Sequence, residues 1–156
     1  MKKIVITFLI AFFCTQQGEA QLKQLKVSAN KRFFQTVDGK PFFWLGDTGW
    51  LLFKKCTREE AVLYLDDRQR KGYNVIQVMV IHDVNDAVNV YGDSSIHNKD
   101  VSKPVLNDEH VVEDMKYGFW DHVDYIIREA EKRGIYMALV PVWGGNIKKV
   151  NPEQAK

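Results

Sequence analysis

The chain has 156 residues, with 22 Lys and Arg against 20 Asp and Glu, for a formal net charge of +2. So even a balance, with no Lys/Arg stripe, argues against a nucleic-acid partner, because phosphate binding depends on clustered cations. Hydrophobic residues make up 46% and aromatics 12%, enough for one packed core within a single domain of ordinary size.

Residues 1–20 read as a leader rather than part of the fold. Lys2 and Lys3 are followed by an apolar run from Ile4 to Phe13 that only Thr7 interrupts, and Gly18-Glu19-Ala20 offers small residues for cleavage. The run is too short and wrongly flanked for a spanning helix, so it predicts a secretory signal peptide cleaved before Gln21. The expected destination is the periplasm or the cell surface. Cys14 suggests a lipoprotein, but Phe13 before it is too bulky for that processing site. After cleavage only Cys56 remains, so no internal disulfide is possible, and that cysteine reads as a small hydrophobe beside a helix start. The domain is therefore expected over residues 21–156, with no further membrane span.

Residues 21–29 are polar and read as irregular or as a lead-in strand. Arg32 to Val37 and Lys40 to Trp44 flank Asp38-Gly39, and Asp-Gly between apolar segments predicts a β-hairpin because both turn residues tolerate positive φ. The second arm is expected to continue as a buried parallel strand ending at Asp47, since Phe42 to Leu45 is wholly apolar. Thr57-Arg58-Glu59-Glu60 is a capping box. The helix it opens carries Ala61, Val62 and Leu65 on one face and stops at Gly72. Val75 to Ile81 is almost continuously apolar, as expected of a strand covered on both sides.

A long polar connection follows from 82 to 116; connections of such length are commonly functional or disordered. Phe119, Trp120, Val123, Ile126, Ile127 and Ala130 recur at helical spacing, and Gly134 ends that helix. Ile135 to Trp143 reads as a third buried strand, turned by Gly144-Gly145-Asn146. Asn151-Pro152-Glu153 reads as the cap and first turn of another helix. Strands alternating with helices imply an α/β fold with a parallel sheet.

In parallel sheets the functional groups gather at the carboxyl ends of the strands. The first strand end offers Asp47, Thr48 and Trp50. The second offers Gln77 inside it and His82, Asp83 and Asn85 beyond. The third offers Trp143 and Asn146. Trp, Asp, His and Asn on one rim suit a sugar, since aromatic faces stack on C–H surfaces and planar polar groups share hydrogen bonds with hydroxyls. Each residue also has a plainer reading. Asp47 can cap a turn through its neighbouring amides, Trp50 and Trp143 can plug a core, and His82 can be structural. Gln77 in an apolar strand needs partners for its amide. His82, His97, His110 and His122 lack metal-ligand spacing, and no phosphate loop or nucleophile elbow occurs. Neither a cofactor nor a metal is expected.

Taken together, several segments resemble one family. They are Gly39 to Thr48 with Trp50-Leu51-Leu52-Phe53, Thr57 to Ala61, Gly72 to Gln77, Asn89-Val90-Tyr91-Gly92-Asp93, Trp120 to Tyr125, and Leu139 to Gly144. In this order they resemble the apiosidase-like glycoside hydrolases of family 140, over nearly all of residues 30–150. The resemblance implies a (β/α)8 barrel of the TIM type and an exported enzyme of saccharolytic bacteria acting on branched pectic side chains.

It also implies an acid/base carboxylate after the fourth strand, in an Asn-Gly-Gly-Asp-like segment, and a nucleophile far later. Neither segment occurs before Lys156. Glycoside hydrolysis normally needs both carboxylates, about 5–5.5 Å apart for retention or about 6.5–9.5 Å for inversion. The expectation is therefore the amino-terminal portion of such a barrel, about three βα units preceded by a β-hairpin. Asp47, Trp50, Gln77, His82, Asn85, Tyr91 and Trp143 are expected to contact an oligosaccharide, and none of the residues present is expected to be catalytic. The alternative is a non-catalytic carbohydrate-binding or orphan fragment.

Overall fold

The computed structural model describes residues 22–106, 110–112 and 115–146. The leader expected over 1–20 and the helix start expected at Asn151-Pro152-Glu153 lie outside the described residues.

The chain enters through three short antiparallel strands in the order β1-β2-β3: β1 (Leu25–Val27), β2 (Phe34–Thr36) and β3 (Pro41–Phe42). The Asp38-Gly39 turn joins β2 to β3 as its sequence predicts, with Gly39 at φ 87°. The residues ahead of the hairpin, read as irregular or a lead-in strand, form β1, with Leu25 opposite Thr36.

The second hairpin arm departs from expectation. Rather than one continuous strand it is two, in different sheets: β3, then β4 (Gly46–Thr48). Asn74 explains the break. Its side-chain amide donates to the Phe43 carbonyl at 2.7 Å and its carbonyl accepts from the Leu45 amide at 2.9 Å, so the intervening backbone is bracketed outside either ladder. Phe43, Trp44 and Leu45 are exposed, and the wholly apolar run is not the buried strand its composition suggested.

Three strands form a parallel sheet in the order β4-β5-β8, where β5 is Val75–Ile81 and β8 is Tyr136–Val142. The register sets Asp47 opposite Ile76 and Thr48 opposite Gln77, then Val75 opposite Tyr136 and Ile81 opposite Val142. Beyond β4 come a single helical turn, α1 (Leu52–Lys55), and the helix α2 (Arg58–Arg70). The capping box forms: the Glu60 amide donates to the Thr57 hydroxyl at 3.2 Å and the Thr57 amide to the Glu60 carboxylate at 2.9 Å. Gly72, at φ 82°, ends the helix.

Over residues 82–106 the connection after β5 is not loose. Val84, Ile96 and Val105 are buried in it, and isolated bridges join Val88 to Ser94 and Ile96 to Pro104. Asn89 organises one bend by accepting from the amides of Tyr91 at 2.9 Å and Asp93 at 3.0 Å. A short hairpin of β6 (His110–Val112) and β7 (Met115–Tyr117) leads into α3 (Phe119–Lys132). The α3 start is fastened by Asp121, whose carboxylate accepts from the Gly118 amide at 2.9 Å.

One continuous core fills the space between this sheet and the helices. It joins Ile76, Val78 and Val80 of β5 to Phe53, Ala61, Leu65, Val123, Ile126 and Ala130. Each fully buried aliphatic such as Leu65 or Ile126 contributes about 1.5–3 kcal/mol relative to exposure. Val75, Gln77 and Met79 alternate with those core residues and so face the other side of the sheet. Among the described residues no helix is long and apolar enough to cross a membrane.

Candidate functional site

The carboxyl ends of the parallel strands bring two tryptophans together. Past β4 the chain stays beside β5, with the Gly49 amide donating to the Gln77 carbonyl at 2.9 Å and the Met79 amide to the Trp50 carbonyl at 3.4 Å. Trp143 follows β8 directly, its amide donating to the Ile81 carbonyl at 3.1 Å. The two indole rings lie 5.6 Å apart, tilted by 60°. They remain 38% and 43% exposed, so neither is a core plug. A tilted, partly exposed pair of indoles offers a broad apolar surface at this end of the sheet.

Asn146 holds this end of the sheet in place. It is buried, and its side-chain amide donates to the carbonyls of His82 and Trp143, each at 2.9 Å, while its own carbonyl accepts from the Val84 amide at 3.2 Å. One side chain thus ties the exit of β5 to the exit of β8. His82 and Asn85 lie in the segment so anchored, and both are exposed. Asn85 is engaged locally, its backbone and side-chain amides both donating to Asp83, at 2.9 and 3.2 Å. Gln77 is half-buried on the sheet face away from α2, below the tryptophans.

Two of the expected rim residues are engaged by side chains or backbone of the helices. Asp47 pairs with the second residue of β5, near the amino-terminal end of the sheet, and its carboxylate turns toward α2. There it accepts from the Tyr64 hydroxyl at 3.0 Å and from the Arg68 guanidinium, while its other oxygen accepts from the Thr48 amide at 2.8 Å. Burial alone would raise the Asp47 pKa, but the Arg68 guanidinium, the Thr48 amide and the Tyr64 hydroxyl outweigh it and hold the carboxyl below its ordinary value. Burial, and next the hydrogen bond to Asp47, push the Tyr64 hydroxyl up to about 12. Through these bonds Asp47 clasps strand to helix.

Tyr91 is taken up by the helices as well. Its hydroxyl accepts from the Arg58 amide at 2.9 Å, and its ring meets His122 edge-on at 5.3 Å. The sequence reading missed Tyr64 and Arg68 as the partners of Asp47, although their spacing of four on one helix puts both on the same face.

Comparisons with known proteins agree with this architecture. A solved structure titled "Glycoside hydrolase" is 40% identical, with a TM-score of 0.70 over 86% of this chain. A glycoside hydrolase family 5 crystal structure from Bacteroides vulgatus is 37% identical, with a TM-score of 0.69 over 83% of this chain. The chain spans only 29% and 27% of the lengths of those two proteins. No curated protein matches it significantly. The model of the apiosidase-like catalytic domain matches residues 28–156, and the chain belongs to that family.

Proposed function

We propose that this chain supplies the amino-terminal part of a (β/α)8 barrel in an exported glycoside hydrolase acting on plant cell-wall pectic oligosaccharides. The observation that carries the reading is the Trp50–Trp143 pair beyond the carboxyl ends of β4 and β8, the strands flanking β5, with ring centroids 5.6 Å apart and both residues partly exposed. That is where barrel enzymes bind substrate, and tilted indoles match the C–H faces of sugar rings. His82 and Asn85 supply polar groups from the neighbouring loop, and Gln77 supports them from inside the sheet. Export is supported by the basic start and apolar run of residues 1–20.

The residues present bind rather than cleave. General acid and nucleophile are assigned to barrel segments beyond the third parallel strand, in keeping with the small share of the solved relatives that the chain spans. Titration of the chain with neutral and acidic pectic oligosaccharides, followed by tryptophan fluorescence, tests the reading. Saturable quenching is expected, with affinity reduced roughly tenfold or more in Trp143→Ala. Absence of any oligosaccharide response, or an unchanged affinity in Trp143→Ala, would sink it.

A further inference from the structure

Away from the tryptophan pair, a cavity of about 260 Å³ opens between the starts of α2 and α3, lined by Arg58, Glu59, Tyr91, Asp93, Tyr117 and His122. His122 is 1% exposed, yet neither ring nitrogen has a close hydrogen-bond partner among the described residues, the Cys56 backbone being the acceptor that approaches the ring. Buried polar atoms are normally satisfied, and an orphan costs roughly 1–3 kcal/mol. The Arg58 Nε is likewise buried and unpartnered. The Arg58 guanidinium is fixed over the Tyr117 ring at 4.1 Å and the Tyr125 ring at 4.8 Å.

We propose that this cavity is a second binding site, for a single neutral sugar ring, distinct from the tryptophan mouth and independent of the reading of that mouth. Size favours one ring, since the volume falls just short of the roughly 300–1,000 Å³ typical of drug-sized ligands. Chemistry favours hydroxyls. Burial, and next the Arg58 charge, push the His122 pKa down to about 4, so the imidazole is neutral at ordinary pH; hydrogen bonding to the Cys56 backbone and the Asp93 charge oppose this without overcoming it. A neutral imidazole offers one donor and one acceptor, the combination that a hydroxyl complements. Tyr91 and Tyr117 line the cavity with aromatic rings. Glu59 and Asp93 bring carboxylates to the same wall, which disfavours an anionic ligand despite Arg58.

The test is a nuclear magnetic resonance titration of the full chain with D-galactose, D-galacturonate and inorganic phosphate, reading the His122 imidazole nitrogen shifts. Galactose is expected to shift them saturably, and galacturonate, which differs in charge, to bind at least about tenfold more weakly. His122→Phe should abolish the galactose response in the remaining cavity signals. Glu59→Gln changes an exposed side chain and is expected to weaken galactose roughly threefold or more without altering the melting temperature. Trp143→Ala should leave the His122 response intact, so failure here is distinguishable from failure at the mouth. No saturable galactose shift up to about 100 mM overturns the proposal. So does tighter binding of galacturonate or phosphate, or unchanged galactose affinity in both cavity variants.

Discussion

Replacing Asp47 separates two readings of the same residue. At the mouth, Asp47→Ala would weaken sugar binding and leave the fold alone. As a clasp between β4 and α2, it should do the reverse. Asp47 and Arg68 side chains are 25% and 24% exposed, so their pairing is only partly screened by solvent. The carboxylate accepts from one guanidinium, one hydroxyl and one backbone amide. Hydrogen bonds to a charged group contribute about 1.5–3 kcal/mol each when buried. Partial exposure and the relaxation of Arg68 toward water reduce the sum, so Asp47→Ala is expected to cost about 2 kcal/mol. For a domain of this size that lowers the melting temperature by about 4–8 °C.

The pH dependence follows from the direction of the shift. Because the folded-state pKa is lowered, the contribution is present above the ordinary carboxylate pKa of about 4 and is lost as pH falls through the folded value. The stability gap between wild type and Asp47→Asn should therefore be full near neutrality and close in acid. Urea unfolding over a pH series, paired with oligosaccharide titration by fluorescence, provides both readouts. An unchanged melting temperature together with lost sugar binding would refute the clasp and restore Asp47 to the mouth.

Other outcomes follow from the same geometry. Asn146→Ala removes a buried side chain that meets three backbone groups; it should cost about 3 kcal/mol in urea unfolding and shift the Trp143 emission, and a change under about 0.5 kcal/mol would contradict the latch. His122 should titrate with a midpoint near 4 in an imidazole proton titration, against an ordinary value of 6.5. Since its folded pKa is depressed, the unfolded chain takes the proton first, and stability should fall by up to about 3 kcal/mol as pH drops from 6.5 to 4; a midpoint near the ordinary value would contradict this. Leu139 is 44% exposed on β8, and among the described residues β4 and β8 are the outer strands of their sheet. Open apolar edges pair with other chains, so the 156-residue polypeptide should self-associate in sedimentation and Leu139→Lys should reduce that; a monomer at all concentrations would argue against it.

Local chemistry was legible in the sequence wherever a backbone requirement matched a residue type. Asp38-Gly39 turned the hairpin, Thr57 and Glu60 capped α2, and Gly72 and Gly134 took the positive φ that ends each long helix. The strand Val75–Ile81 was legible because a continuous apolar run is stable between two covering layers; Tyr136–Val142 also formed where read, but it is not the buried strand expected, with Leu139 44% exposed. The side on which a short strand presents its polar group was not legible. A one-residue change of register sends every side chain to the opposite face, and Asp47 faces α2 because Tyr64 and Arg68, remote in sequence, stand there to receive it. Nor could spacing show that Asn74 breaks the second arm from beneath, or that Asn146 laces two strand ends together. Apart from the local Asn146–Trp143 bond, they join residues 29 to 64 positions apart, and only the packing of the sheet against its helices brings such partners within reach.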